Sequence, residues 1–231
     1  MTRQLTLSTL ILTICLTGCG QKNTENKKIL KIEKNTIQVN LPNTLESNLT
    51  DSSFVNSFFG VTVGILKNWN VLNKIQIEEH LNRKIREIES LDRAMTEGQL
   101  RNLETDNPFL LIITPGINAE ATPLLMINNV QSGMPGGPTS VEEYLSGSKE
   151  SIEKSYKDVL NLEFSPIEEK IVGGKKFKSR VVKQTIEQEY ESFQRIYCSM
   201  IKGVFFNIIV NYSNENEWQE LEKQLLKIKF I

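Results

Sequence analysis

Residues 167–212 read IEEKIVGGKKFKSRVVKQTIEQEYESFQRIYCSMIKGVFFNIIVNY. Four runs rich in β-branched and aromatic residues, 167–172, 175–186, 190–202 and 204–212, are separated by Gly173-Gly174, by a short polar stretch and by Gly203. Runs of this composition bounded by glycine turns predict strands, and connections this short join antiparallel neighbours. The last third of the chain is therefore expected to be an antiparallel meander. Residues 213–226 follow with Trp218, Leu221, Leu225 and Leu226 on one helical face, and 228–231 end the chain as an apolar tail.

Working upstream, the apolar runs 109–114 and 124–130 are bounded by prolines and glycines and predict two more strands, paired with each other in one sheet. Between them and the meander, Ser140 with Glu143 three residues later forms a capping-box start. The apolar positions Val141, Tyr144, Leu145, Ile152, Tyr156, Val159 and Leu160 continue it as a long helix that Gly147 weakens. Over 75–95, Ile77, Leu81, Ile85, Ile88, Leu91 and Met95 recur at helical spacing with charges between them, an amphipathic helix. Residues 58–66 predict a first strand, with Lys67-Asn68-Trp69-Asn70 as its exit turn. The polar stretch before Phe58, with one short strand at 36–41, reads as a tether.

At the other end of the chain, Arg3 precedes an apolar run over 5–16 that closes on Leu16-Thr17-Gly18-Cys19. The run is too short for a stable membrane span and has the layout of an export signal. Its last four residues resemble the lipobox of bacterial lipoproteins. That resemblance implies cleavage between Gly18 and Cys19 and acylation of the Cys19 thiol. The expected organisation is a signal peptide over 1–18, a flexible tether over 19–57 and a folded domain over 58–231. Buried acyl chains contribute about 0.8 kcal/mol per methylene, so multiple chains would hold the protein on a membrane of the cell envelope, facing away from the cytoplasm.

Composition narrows the function classes. The chain of 231 residues is 39% hydrophobic and 24% charged with a formal net charge of -1. Beyond the leader no stretch approaches the roughly 20 apolar residues of a spanning helix. A near-neutral chain lacks the basic field that draws proteins to nucleic acid, so nucleic acid is not an expected partner. Of three cysteines, Cys15 leaves with the leader and Cys19 takes the lipid, which leaves Cys198 without a disulfide partner. Cys198 lies in an alternating apolar stretch and reads as a buried structural thiol.

Several short phrases in this order resemble the PsbP-like family, which includes the photosystem II extrinsic protein, the Ran-binding protein Mog and many bacterial lipoproteins. The opening strand Val61-Thr62-Val63 ends in the Trp69 turn. Glu142-Glu143-Tyr144-Leu145 stands at the helix start, Val172-Gly173-Gly174-Lys175-Lys176-Phe177 at the hairpin and Leu226-Lys227-Ile228-Lys229-Phe230 at the end. The resemblance covers about 58–231. It implies an α+β fold with a central antiparallel sheet flanked by helices on both faces, an α/β/α sandwich. It also implies action by binding rather than by catalysis. The long charged helix over 75–95 departs from the family, which has a shorter connection there.

Candidate chemistry is sparse. The single histidine, His80, sits in Glu78-Glu79-His80, and the residue one helical turn on is Lys84, which cannot ligate zinc while protonated. No metal or cofactor is expected. The loop 133–138 has glycines but lacks a Gly-Lys-Ser/Thr ending, and its prolines remove backbone donors that a phosphate would need. Gly133, Met134, Gly136 and Gly137 instead form a candidate binding rim. Glu168-Glu169 and the glutamates of 187–191 are expected to be divided between two sheet faces by strand alternation. The aromatic set Phe58, Phe59, Trp69, Phe177, Phe193, Tyr197, Phe205, Phe206 and Tyr212 either fills the core or lines a lipid-sized pocket. The expected function is a non-enzymatic adaptor for another envelope protein, using a sheet edge or the rim. The alternatives are a carrier or sensor of an apolar small molecule and, third, a hydrolase.

Overall fold

The computed structural model describes residues 47–50, 52–72, 109–115, 123–132, 137–156, 160–186 and 190–231. The strands are β1 (Ser47–Leu49), β2 (Ser53–Asn56), β3 (Val61–Gly64), β4 (Asn70–Val71), β5 (Phe109–Thr114), β6 (Leu124–Gln131), β7 (Asn161–Phe164), β8 (Glu168–Val172), β9 (Lys175–Ile186), β10 (Tyr190–Ile201), β11 (Val204–Tyr212) and β12 (Ile228–Phe230). Helix α1 spans Val141–Tyr156 and α2 spans Glu215–Leu225. The signal peptide, Cys19, the strand expected at 36–41 and the helix expected over 75–95 lie outside the described residues.

The strands form two antiparallel sheets. The larger runs β4-β5-β6-β11-β10-β9-β7, with β8 also paired to β9, and the smaller runs β1-β2-β3-β12. The meander lies where the sequence predicts it: β8 to β9 turn at Gly173-Gly174, and β10 to β11 turn at Lys202-Gly203. Strand β11, central in the large sheet, is buried along all nine residues. That explains its nearly unbroken apolar reading, because both of its faces are covered.

What covers those faces corrects the expected α/β/α sandwich. On one face, Tyr144 and Leu145 of α1 pack on Ile112, Leu124, Met126, Ile196, Cys198, Phe205 and Ile209. On the other, the small sheet supplies Phe54, Val61, Val63 and Ile228, and α2 adds Leu221, over Phe177, Phe206, Ile208 and Val210. Among the described residues this second face is covered mainly by strands, and the described part of the chain is mostly β, with two packed sheets and two helices.

The cause lies in two segments whose composition hides their pairing. Strands β1 and β2 fall inside the polar stretch expected as a tether, yet in β2 the side chains of Phe54 and Asn56 alternate inward and are buried. Asn56 is satisfied there, its Oδ1 accepting from the Phe59 N–H at 3.0 Å and its Nδ2 donating to Ser47 Oγ at 2.8 Å. The apolar tail is likewise a strand, with Ile228 opposite Val63 and Phe230 opposite Val61. It also reaches the large sheet, the Phe230 N–H donating to the Gly173 carbonyl at 3.2 Å.

Both helices begin as the chemistry of orphan N–H groups requires. Ser140 Oγ accepts from the Glu143 N–H at 3.1 Å, and the Glu143 carboxylate accepts in return from the N–H and hydroxyl of Thr139 at 2.7 and 2.8 Å. Asn214 caps α2 by accepting from the Glu217 N–H at 3.0 Å. Near the end of α2 the buried Gln224 accepts from the Leu66 N–H at 3.1 Å and donates to the Gly64 carbonyl at 2.6 Å. The backbone leaving β3 is thereby bound to the helix rather than to water.

Candidate functional site

The face of the large sheet beneath α1 is unusually polar. Strand alternation turns Asn128 of β6 and Asn207 of β11 the same way, and the two are register partners with 0% exposure. Asn207 Nδ2 donates to Tyr144 Oη at 3.1 Å, and the Tyr144 ring stacks on Phe205 with centroids 4.7 Å apart at 18°. Farther along the same face, Gln194 Nε2 meets Asn211 Oδ1 at 3.5 Å, Ser192 Oγ meets Gln184 Oε1 at 3.4 Å, and Arg180 Nη1 donates to the Leu145 carbonyl at 3.0 Å. Burial pulls the Arg180 guanidinium below its ordinary pKa.

Hydrogen-bond accounting on this face does not close. Among the described residues, both amide atoms of Asn128, Asn207 Oδ1, Asn211 Nδ2 and Arg180 Nε are buried and find no hydrogen-bond partner. Each such group costs roughly 1–3 kcal/mol of desolvation. The asparagine pair lies beside Tyr144 and Asn211 lies beside Gln194, with Met126, Ile209, Ile196 and Arg180 in the cross-strand row between them.

The opposite face ends in an aromatic ledge. Phe193 on β10 and Tyr212 on β11 are register partners whose rings stack 5.2 Å apart at 13°. Trp218 of α2 packs on Tyr212 at 5.1 Å, and the Arg195 guanidinium lies 4.3 Å from the Trp218 ring centre. Phe193, Arg195 and Trp218 are half-buried, so the ledge is open to the outside. Among the described residues Arg195 Nε, itself buried, finds no hydrogen-bond partner. Burial pushes the phenols of Tyr197 and Tyr212 above their ordinary pKa, with Arg195 pulling in the opposite direction.

The residues singled out from the sequence are dispersed. Cys19, Gly18, His80, Gly133, Met134 and Gly136 lie outside the described residues, and Gly137 is half-buried at the approach to α1. Cys198 is wholly buried on the α1 face. Glu169 pairs with Lys176 at 3.1 Å, Glu168 with Lys170 at 2.8 Å and Glu191 with Lys183 at 2.6 Å, all at the surface. The aromatic set is split by the sheet: Phe205 lies under α1, while Phe59, Trp69, Phe177, Tyr197, Phe206 and Tyr212 join the cluster between the sheets. There the Phe206 ring centre is 4.9 Å from that of Phe59 and 5.6 Å from that of Phe230. Sequence reasoning passed over Asn128, Asn207, Arg195 and Trp218 as a site. The available signal was an asparagine inside each of two apolar runs, LLMINNVQ and VFFNIIVNY.

No protein-family model matches the chain, and a search of characterised proteins finds no significant match. Among solved structures, the chain is similar to the solution structure of cyanobacterial PsbP (CyanoP) from Synechocystis sp. PCC 6803. The two share 6% sequence identity, the likeness covers 79% of this chain and 94% of that one, and the TM-score is 0.45. The likeness brings no ligand, partner or activity with it.

Proposed function

We propose that the chain is a lipid-anchored envelope protein whose folded part is a non-enzymatic docking module for another envelope protein. The observation that carries this reading is the ledge of Phe193, Tyr212, Trp218 and Arg195 at the end of the large sheet. Tryptophan, tyrosine and arginine dominate the binding energy of protein interfaces, because they bury large area at small entropic cost while keeping a polar handle. Here they are pre-stacked, so little ordering remains to be done when a partner arrives. Close ring packing around Phe206 favours this over the apolar-carrier reading. The buried Cys198 and the ion-paired glutamates favour it over a hydrolase.

The test is photo-crosslinking from position 193 in the full chain on its own membrane. The expected result is one defined crosslinked protein, lost in Arg195→Ala and Trp218→Ala. Cys19→Ser should abolish fatty-acid labelling of the chain and weaken the crosslink by removing the anchor. A crosslink pattern unchanged by the two ledge substitutions would refute the docking surface, and persistent labelling of Cys19→Ser would refute the anchor.

A further inference from the structure

We infer that Asn128 and Asn207 form an internal binding site for a small neutral guest that both donates and accepts hydrogen bonds, water being the smallest such guest. The two asparagines stand opposite one another on adjacent strands at the centre of the large sheet, both fully buried. Side chains of such cross-strand partners have Cβ atoms about 4.5–5.5 Å apart, within the span of one bridging molecule. Asn207 is held by its bond to Tyr144, whose ring is fixed by stacking on Phe205. That leaves Asn207 Oδ1 and both amide atoms of Asn128 unpartnered among the described residues.

The chemistry of these atoms selects the guest. Asn128 Nδ2 offers two hydrogens, while the two Oδ1 atoms only accept. A carboxylate or phosphate would satisfy the amide donor but press its charge against two carbonyl oxygens. A cation would suit the oxygens and be opposed by the amide hydrogens. An apolar guest would leave all three atoms unpaired in a buried setting. A neutral donor-acceptor group meets every requirement.

The experiment is NMR on the isotope-labelled full chain in detergent, with the δ-amide protons of both asparagines assigned through their own backbones. Nuclear Overhauser peaks to water carrying the sign of slow tumbling are expected at both side chains. If the guest is organic, native mass spectrometry shows a bound neutral mass released on unfolding, and its protons replace water in those peaks. The inference is overturned if both δ-amides show contacts to protein protons alone and the chain carries no bound mass.

Discussion

Gly173 and Gly174 form the turn between β8 and β9 with φ of 58° and 83°, and alanine at the two positions should have clearly unequal effects. Both substitutions place a Cβ in the left-handed region, which costs roughly 1–2 kcal/mol. At Gly174 nothing lies within 4 Å of the added atom, so the cost should end there. At Gly173 the new Cβ would stand 2.7 Å from the Ile228 carbonyl oxygen and 3.1 Å from Lys229 Cα. These are backbone atoms of β12 and cannot rotate away. Strand β12 must shift, and the bond from the Phe230 N–H to the Gly173 carbonyl is at stake, about 1 kcal/mol more. Because β12 is also paired to β3, the shift strains the small sheet against the large one. Urea denaturation of the full chain should therefore give a loss of about 2–3 kcal/mol for Gly173→Ala and roughly 1–2 kcal/mol for Gly174→Ala. Equal losses, or a larger one at Gly174, would refute the claim that this turn fastens the two sheets together.

Gln224→Ala should cost about 2–4 kcal/mol in the same assay, because it strands the Leu66 N–H and the Gly64 carbonyl; Gln224→Leu restores volume without bonds and should not recover the loss. The pKa of Glu143 is lowered by hydrogen bonds from the Thr139 N–H and hydroxyl, so its stabilising effect is present above the ordinary carboxylate value and disappears as pH falls through the lowered one. Glu143→Gln should thus be less stable than the parent at pH 7, with the gap closing on acidification below 4.5; a gap independent of pH would sink this reading of the cap. Tyr197 and Tyr212 have raised pKa values in the fold, chiefly through burial, so the native state keeps their protons longer than the unfolded chain. Stability should be intact below pH 10.0 and fall above it, and ultraviolet titration should show two phenols ionising late; ordinary titration by every tyrosine would contradict their burial.

The meander was legible because two local signals agree there. Period-two apolar alternation and glycine turns both point to antiparallel strands, and the 175–186 and 204–212 runs coincide with β9 and β11. Helix α1 was legible from Ser140 and Glu143, since a capping box is a contact within one turn. The small sheet was not. In β2 its inward positions are Phe54 and Asn56, and Asn56 is buried only because Ser47 and Phe59 satisfy it. That is a tertiary fact invisible to composition. Strand β12 has three residues, too few for a periodicity to register. The ledge likewise joins Arg195 to Trp218 across two elements whose meeting depends on the whole fold.

The asparagines illustrate a different kind of illegibility. A polar residue within an apolar strand is usually read as a solvent-facing position, and alternation alone would place Asn207 on a face indistinguishable from that of Phe205 and Ile209. The register of β6 with β11 changes the reading, since it sets Asn128 directly across from Asn207 at the buried centre of the sheet. Two paired violations of the apolar rule are harder to attribute to tolerance than one, because each adds its own desolvation cost at the same place. Two aliphatic side chains of similar volume would remove the three unpartnered atoms at the cost of the single bond to Tyr144. The presence of two carboxamides, one of them anchored by Tyr144, is therefore best explained by what they hold between them.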